Sequence, residues 1–307
     1  DDHGVRIDPE AEVAVFHGSH EAVMAAVLSR VDPGETLVLP DPGYPMYASA
    51  AELADGRIVP LPLVEPAYQP DFRAVADLEH AALLMLNYPN NPTGALATRD
   101  AFEEAVAFSL RTGAAFVHDF AYASLGYDGR RPLSALAVDV GHTVTVETQT
   151  LSKTYSMAGW RVGFAAGNAS LIAAMRHYQA AAFSTMFGAS QEAAAAALDG
   201  SQDAARELIG VYQRRRDLVV EGLRRIGWNV EAPEGTFFVW VRLPATTGEA
   251  PDAVAFADRL RTEARIAVAP GDGFGPRGAG HIRIGLVTDD RTLHEMIERL
   301  DAFTRRT

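Results

Sequence analysis

Short apolar runs alternate with helix-period segments through the first half of the chain, and that alternation restricts the possible folds more than any other feature. Residues 11–16, 36–39, 81–86 and 114–117 are apolar runs of strand length, and 142–147 alternates polar and apolar. Helical spacing fills gaps between them, as at 21–30 and 100–111. Strands apolar on both faces, with helices between them, predict an α/β protein with a mostly parallel central sheet covered by helices. Ligands of such sheets bind beyond the carboxyl ends of the strands.

The residues just past each run are therefore the ones to inspect for function. After Phe16 comes H-G-S-H-E, which sets Gly18 and Ser19 where a loop enters a helix. A helix start offers free N–H groups to an anion, although Ser19 could equally be a simple N-cap. After Leu39, P-D-P-G-Y-P-M-Y forces a turn that presents Tyr44, either to stack on a planar ring or to pack. After Leu86, N-Y-P-N-N-P-T-G is neither helix nor central strand, and it offers Asn87, Asn90 and Asn91 as donors. After Val117, His118 and Asp119 alternate in direction, so one is expected at a site and His118 is read as structural. After the 142–147 strand, Lys153 stands among Thr150, Ser152, Thr154 and Ser156, with Arg161 beyond. A lysine so placed suits a Schiff base with an aldehyde while hydroxyls and a guanidinium hold a phosphate; the alternative is a solvated lysine. Ser19, Tyr44, Asn91, Asp119 and Lys153 all fall at one predicted sheet edge.

V-G-F-A-A-G after Arg161 reads as a further strand, followed by alanine-rich helices at 191–198 and 203–226. Arg214, Arg215 and Arg216 in the second helix read as a solvated face. Beyond Gly227 we expect strands at 228–230, 236–241, 266–268 and 281–286, and helices at 252–264 and from about 291. This predicts a large domain at 1–200 and a smaller C-terminal α+β domain at 201–307. G-D-G-F-G at 271–275 opens no helix and is not a dinucleotide loop. Arg283, inside an apolar strand, needs an anionic partner: a salt bridge or a substrate carboxylate.

Composition removes several classes of function. With 307 residues the chain can bury a large core, and 48% hydrophobic with 22% charged residues is ordinary for a globular protein. A net charge of -13 argues against nucleic acid or an anionic membrane as partner. The absence of cysteine excludes disulfides and thiolate metal sites, and no metal is expected. No apolar run approaches the roughly 18 residues of a membrane span, and no signal peptide is evident, so the cytoplasm is expected. The first residue is Asp1, so a natural N-terminal segment is expected to precede it or to have been processed away.

Taken together, G-S-H-E, D-P-G-Y-P, N-Y-P-N-N-P-T-G, D-F-A-Y, T-L-S-K with R-V-G-F, and I-R-I-G resemble the class I/II aminotransferases of pyridoxal-phosphate fold type I. The motifs run from Gly18 to Arg283. P-D-P-G-Y-P, S-K-T-Y-S-M-A-G-W-R-V-G-F and P-E-G-T-F-F-V-W look most like the LL-diaminopimelate-type subgroup. The resemblance implies pyridoxal 5'-phosphate as cofactor, with Lys153 as its Schiff-base lysine and Asp119 as partner of the pyridine nitrogen. It implies Asn91 and Tyr122 as donors to the phenolic oxygen and Tyr44 as the stacking aromatic. Ser19, His20, Thr150, Ser152 and Arg161 would hold the phosphate. Arg283, helped by Asn91, would fork onto the substrate α-carboxylate.

The implied reaction moves an amino group from an amino acid to a 2-oxo acid by a ping-pong mechanism, in a homodimer with the active site at its interface. Relatives carry further N-terminal sequence that is not present here. Thr150 and His20 replace residues more usual at their positions, and Phe187 stands where diaminopimelate enzymes often have a polar residue, which suggests a less polar distal pocket. Rival expectations are a β-lyase, decarboxylase or oxidase on the same scaffold, or an aminotransferase-like sensor domain of a transcription regulator.

Overall fold

The computed structural model describes residues 3–244 and 251–305. In chain order the strands are β1 (Val13–Phe16), β2 (Thr36–Asp41), β3 (Arg57–Val64), β4 (Gln69–Pro70), β5 (Leu83–Asn87), β6 (Ala115–Asp119), β7 (Thr145–Thr150), β8 (Gly163–Gly167), β9 (Phe238–Arg242), β10 (Ala269–Pro270) and β11 (His281–Gly285). The helices are α1 (Ser19–Leu28), α2 (Met46–Leu53), α3 (Arg99–Thr112), α4 (Leu151–Thr154), α5 (Ala169–Ala182), α6 (Gly188–Asp199), α7 (Asp203–Arg225), α8 (Ala253–Arg259) and α9 (Asp290–Thr304).

The first eight strands form one sheet in the order β1-β8-β7-β6-β5-β2-β3-β4. From β3 to β7 every neighbouring pair is parallel. β8 runs antiparallel to both β7 and β1, and β4 runs antiparallel to β3. The strands β1, β2, β5, β6 and β7 therefore share one carboxyl edge, as their sequences require.

Successive side chains serve opposite faces. Leu37, Leu39, Leu83, Met85, Val117 and Val146 pack with α1, α2 and α5 through Ala22, Val23, Ala50, Ile172 and Met175. Val38, Leu84, Leu86 and Phe116 meet α3 through Phe102, Ala105 and Phe108 on the other side. Each fully buried leucine contributes about 1.5–3 kcal/mol, which is why the runs are unbroken by polar residues. α3 begins at Thr98, whose side chain accepts from the Ala101 N–H, and stops at Gly113 with φ 77°.

β9, β10 and β11 form a separate antiparallel sheet in the order β10-β11-β9. Val239, Val241, Ile282 and Ile284 pack there with Val219, Leu223, Leu293 and Leu300 of α7 and α9. Ala121, Tyr122 and Leu125, just past β6, join the same cluster. Tyr122 is thus tied to both sheets.

Several expectations are corrected. α2, β3 and α5 went unread in the sequence, and β3 carries two prolines, Pro60 and Pro62, near the margin of the sheet. β7 starts three residues later than expected. The Asp139 carboxylate collects the N–H groups of Thr143, Val144 and Thr145, and His142 is left-handed at φ 47°, so 142–144 form a turn. Residues 228–230 are no strand, although Trp228 and Val230 are buried. The strand expected at 266–268 is replaced by the two-residue β10.

The arginine run is not a solvated face. Arg216 is 4% exposed, donates to both oxygens of Asp128 at 2.8 Å and to the Pro233 carbonyl, and lies over the Tyr127 ring. Arg215 pairs with Asp290, and Arg214 alone of the three is exposed. Three adjacent helix positions span about 200° of the helix surface, so they cannot share one face.

Candidate active site

At one end of the site the chain leaves β1, turns through Gly18 at φ 88° and enters α1. Gly18, not Ser19, occupies the N-cap position, and no side chain caps the helix. The first-turn amides have no acceptor within the helix, and the Ser19 hydroxyl is not spent on capping. Arg161, left-handed at φ 52°, spans the same corner, donating to the carbonyls of His17 and Ala158 at 3.2 Å each. A Cβ on Gly18 would come within 2.6 Å of Arg161 Nη2. A Cβ on Gly163 would come within 2.7 Å of the Ser19 nitrogen and 2.6 Å of the Gln149 carbonyl. The absence of both side chains lets α1, β8 and the end of β7 close around a small polar cup.

Thr150 ends β7 and caps α4, accepting from the Ser152 N–H at 3.2 Å and donating to Ser152 Oγ at 2.9 Å. That short helix carries Lys153. Its ammonium lies 5.3 Å from the Phe237 ring centre, and no carboxylate pairs with it among the described residues. Burial lowers the lysine pKa, the Asp119 charge opposes this, and Arg161 and Arg283 add to the lowering.

Asp119, at the end of β6, is 5% exposed. Tyr47 Oη donates to Oδ2 at 2.8 Å and Thr148 Oγ1 to Oδ1 at 3.2 Å. Burial raises its pKa, against those two hydrogen bonds and the nearby His118 and His20. Asn87 Nδ2 donates to the Asp119 carbonyl at 2.6 Å, while its Oδ1 accepts from the Asn91 N–H at 2.8 Å. One asparagine thus locks the end of β6 to the polar loop. His118 faces the other way, within hydrogen-bond distance of Glu147 and the Tyr88 carbonyl, and is the structural histidine expected.

Across the cavity, Arg283 on β11 donates to Asn91 Oδ1 at 2.7 Å. Its guanidinium lies 4.0 Å from the Phe238 ring centre and 4.8 Å from that of Phe274. No carboxylate pairs with it among the described residues, so the salt bridge considered from the sequence is absent there. Tyr44 shares a hydrogen bond of 3.2 Å with His20 Nε2. Burial lowers the His20 pKa and raises those of Tyr44 and Tyr122.

A cavity of about 310 Å³ is lined by Ser19, His20, Tyr44, Asn91, Asp119, Tyr122, Thr150, Ser152, Lys153, Arg161 and Arg283, which is every site residue predicted from the sequence. Cavities of about 460 and 660 Å³ elsewhere hold none of them. Asn87, offered as a donor by the sequence, lines the cavity as well; sequence reading missed Tyr47 as a functional neighbour and Met46, Ala121, Ala158 and Phe238 as lining. Tyr47 carries no sequence signal of its own, because its hydroxyl's partner lies 72 residues away in the chain. Phe187 is 74% exposed and outside the cavity. Among the described residues no cluster of three or more His, Asp or Glu could hold a metal, and no helix is long and apolar enough to cross a membrane.

The donor set fits pyridoxal phosphate on this chain's own geometry. A main-chain cup with an arginine suits a phosphate dianion, an unpaired lysine suits an aldehyde, and a buried carboxylate without a cation suits a protonated ring nitrogen. That trio converges on the carboxyl edge of a mostly parallel α/β sheet. The class I and II aminotransferase model matches residues 1–300, and the chain belongs to that family.

It is 44% identical to an L-glutamine–4-(methylsulfanyl)-2-oxobutanoate aminotransferase of Bacillus subtilis, over 100% of this chain and 77% of the relative. It is 41% identical to an LL-diaminopimelate aminotransferase of Dehalococcoides mccartyi, over 98% of this chain and 77% of that one. The solved substrate-bound BacF of Bacillus subtilis superposes with a TM-score of 0.93 at 38% identity, covering 98% of this chain and 77% of that one. The protein is an aminotransferase, and the subgroup resemblance read from its motifs agrees with these relatives. The rival lyase, decarboxylase, oxidase and sensor readings gain no support from them.

Proposed function

We propose that the protein is a pyridoxal 5'-phosphate-dependent aminotransferase that passes an amino group from an amino acid to a 2-oxo acid in two half-reactions, the first keto acid leaving before the second enters. The observation that carries this reading is the convergence of an unpaired lysine, an uncompensated buried carboxylate and an uncompensated arginine on one cavity of about 310 Å³. Bound pyridoxal phosphate supplies an aldehyde that captures amines and a protonated ring that draws electrons from the substrate's Cα.

The chain's residues do the rest. Ser19 and His20 amides, Thr150, Ser152 and Arg161 hold the phosphate. Asp119 holds the proton on the ring nitrogen, Tyr44 covers the ring, and Asn91 and Tyr122 donate to its phenolic oxygen. Arg283 forks onto the substrate α-carboxylate, with Asn91 fixing its angle through the 2.7 Å hydrogen bond. Lys153 Nζ would take the proton from the substrate Cα and deliver it to the carbon that had been the cofactor's aldehyde, a role served by an amine whose pKa burial has lowered. Phe238 and Phe274, flanking Arg283, keep water from the carboxylate.

We further infer a large cofactor-binding domain over 1–200 and a small domain over 201–307 that brings Arg283 to the substrate, a homodimer with the site at its interface, and a cytoplasmic location. Borohydride reduction of the protein reconstituted with pyridoxal phosphate, followed by peptide mapping, tests the central assignment. The label is expected on Lys153. A label on another side chain, or no label, overturns the reading. A panel including glutamine, methionine and LL-diaminopimelate, scored by bleaching of the cofactor band, then identifies the donor.

A further inference from the structure

Asp119 has a particular set of neighbours for a buried charge. Each carboxylate oxygen receives one hydroxyl from the protein, Tyr47 on Oδ2 and Thr148 on Oδ1, and no cation pairs with it among the described residues. A carboxylate oxygen accepts two hydrogen bonds, so acceptor capacity remains for a ligand in the cavity that Asp119 lines.

Tyr47, in the first turn of α2, is 2% exposed and packs in the core shared with α1, its ring edge-on to Tyr44 at 5.8 Å. Packing explains the ring, and a phenylalanine would fill the same volume. It does not explain the hydroxyl, whose sole hydrogen-bond partner among the described residues is Asp119 Oδ2. A buried hydroxyl costs free energy unless it is paired, and this one is paired with the group that faces the cofactor.

We propose that Tyr47 is a positioning residue for the transfer reaction: its hydroxyl fixes the plane of the Asp119 carboxylate and favours the charged form presented to the cofactor's ring nitrogen. The proposal rests on pyridoxal phosphate occupying the cavity. Thr148 plays the same part more weakly, because its bond is longer by 0.4 Å (3.2 against 2.8 Å).

The test compares wild type, Tyr47→Phe, Thr148→Val, Asp119→Asn and the Tyr47→Phe/Asp119→Asn double variant as holoenzymes. The measurements are the pyridoxal-phosphate dissociation constant by titration of the visible band, and kcat and KM with one amino donor. Loss of one hydrogen bond to a charged group is worth about tenfold or more in an equilibrium. Tyr47→Phe is therefore expected to weaken cofactor binding about tenfold and lower kcat about tenfold with KM for the amino acid unchanged. Thr148→Val should move both in the same direction by less. In the Asp119→Asn background Tyr47→Phe should have no further effect, because a residue acting through Asp119 loses its lever.

An unchanged dissociation constant and kcat in Tyr47→Phe, with wild type binding normally, overturns this proposal alone. Equal losses in both backgrounds also overturn it, since they mark a purely structural role. Failure of wild type to bind pyridoxal phosphate at all overturns the functional reading and this proposal together. If Tyr47→Phe fails to fold, Thr148→Val decides by the same criteria.

Discussion

Two carboxylates lie buried on neighbouring strands, Glu147 on β7 and Asp119 on β6, and they are furnished quite differently. Glu147 accepts from the Ser134 hydroxyl and the Ala135 N–H and lies 2.8 Å from His118 Nδ1, facing the interior. Asp119 receives two hydroxyls and faces the cleft, and among the described residues no cation pairs with it. The arginines repeat the contrast: Arg216 donates to Asp128 and Pro233 and forms an ion pair with Asp217, while Arg283 has one asparagine and two rings. Interior charges come with their partners, whereas cleft charges leave room for partners that arrive with the substrate. Burying a charge without compensation lowers stability, so the cleft residues are kept for what they bind.

The sharpest break between the two groups is expected at Lys153. Lys153→Ala should lower turnover at least about 10³-fold, with the fold retained by circular dichroism; turnover near wild type would place the proton transfer elsewhere. Glu147→Ala, by contrast, should destabilise the protein by at least about 3 kcal/mol, because it strands two buried donors and opens a cavity. Urea titration measures this.

The arginine pair comes next. Arg216→Ala should cost about 2 kcal/mol in the same titration, through lost hydrogen bonds and packing. Arg283→Ala should change stability by less than about 1 kcal/mol but raise KM for amino donors about 100-fold. Equal stability losses for the two would erase the distinction between paired and waiting guanidinium groups.

The smallest effect carries the most telling sign. Burial raises the Asp119 pKa above the ordinary 3.8, so the folded state binds more protons there than the unfolded state in the window above 3.8. The contribution to stability is fully present below 3.8 and is lost as pH rises through the folded value. Asp119→Asn should therefore make the cofactor-free protein more stable at pH 7, with the gain fading toward pH 3. A destabilised variant at pH 7 would show that the two hydroxyls outweigh the burial cost.

Much of this arrangement is legible in the amino-acid sequence. β1, β2, β5 and β6 are mainly apolar runs followed by polar residues and β7 follows an alternating pattern, so the strand ends, and with them Ser19, Tyr44, Asn91, Asp119 and Lys153, align on one edge. What escaped had no such mark. β3 was hidden by Pro60 and Pro62, which a strand inside a sheet seldom carries. The sequence assigns Tyr47 no role, because its hydroxyl's destination lies 72 residues away in the chain. Arg216 reads as surface because composition ignores the 100° step between helix neighbours. Trp228 and Val230 show the converse error, since burial without a partner strand mimics strand character.

The closure of Gly18 and Gly163 around the phosphate end has a consequence for how such an enzyme diversifies. At Gly163 the main chain is packed too tightly to admit even a methyl group, and Gly18 holds a φ of 88° that disfavours a side chain, so substitutions at these two positions are strongly disfavoured. The substrate end is built from side chains, Arg283, Phe238 and Phe274 among them, which can be exchanged singly. Drift in donor preference is thereby channelled to the far rim of the cleft, and the anchor stays put while the menu changes.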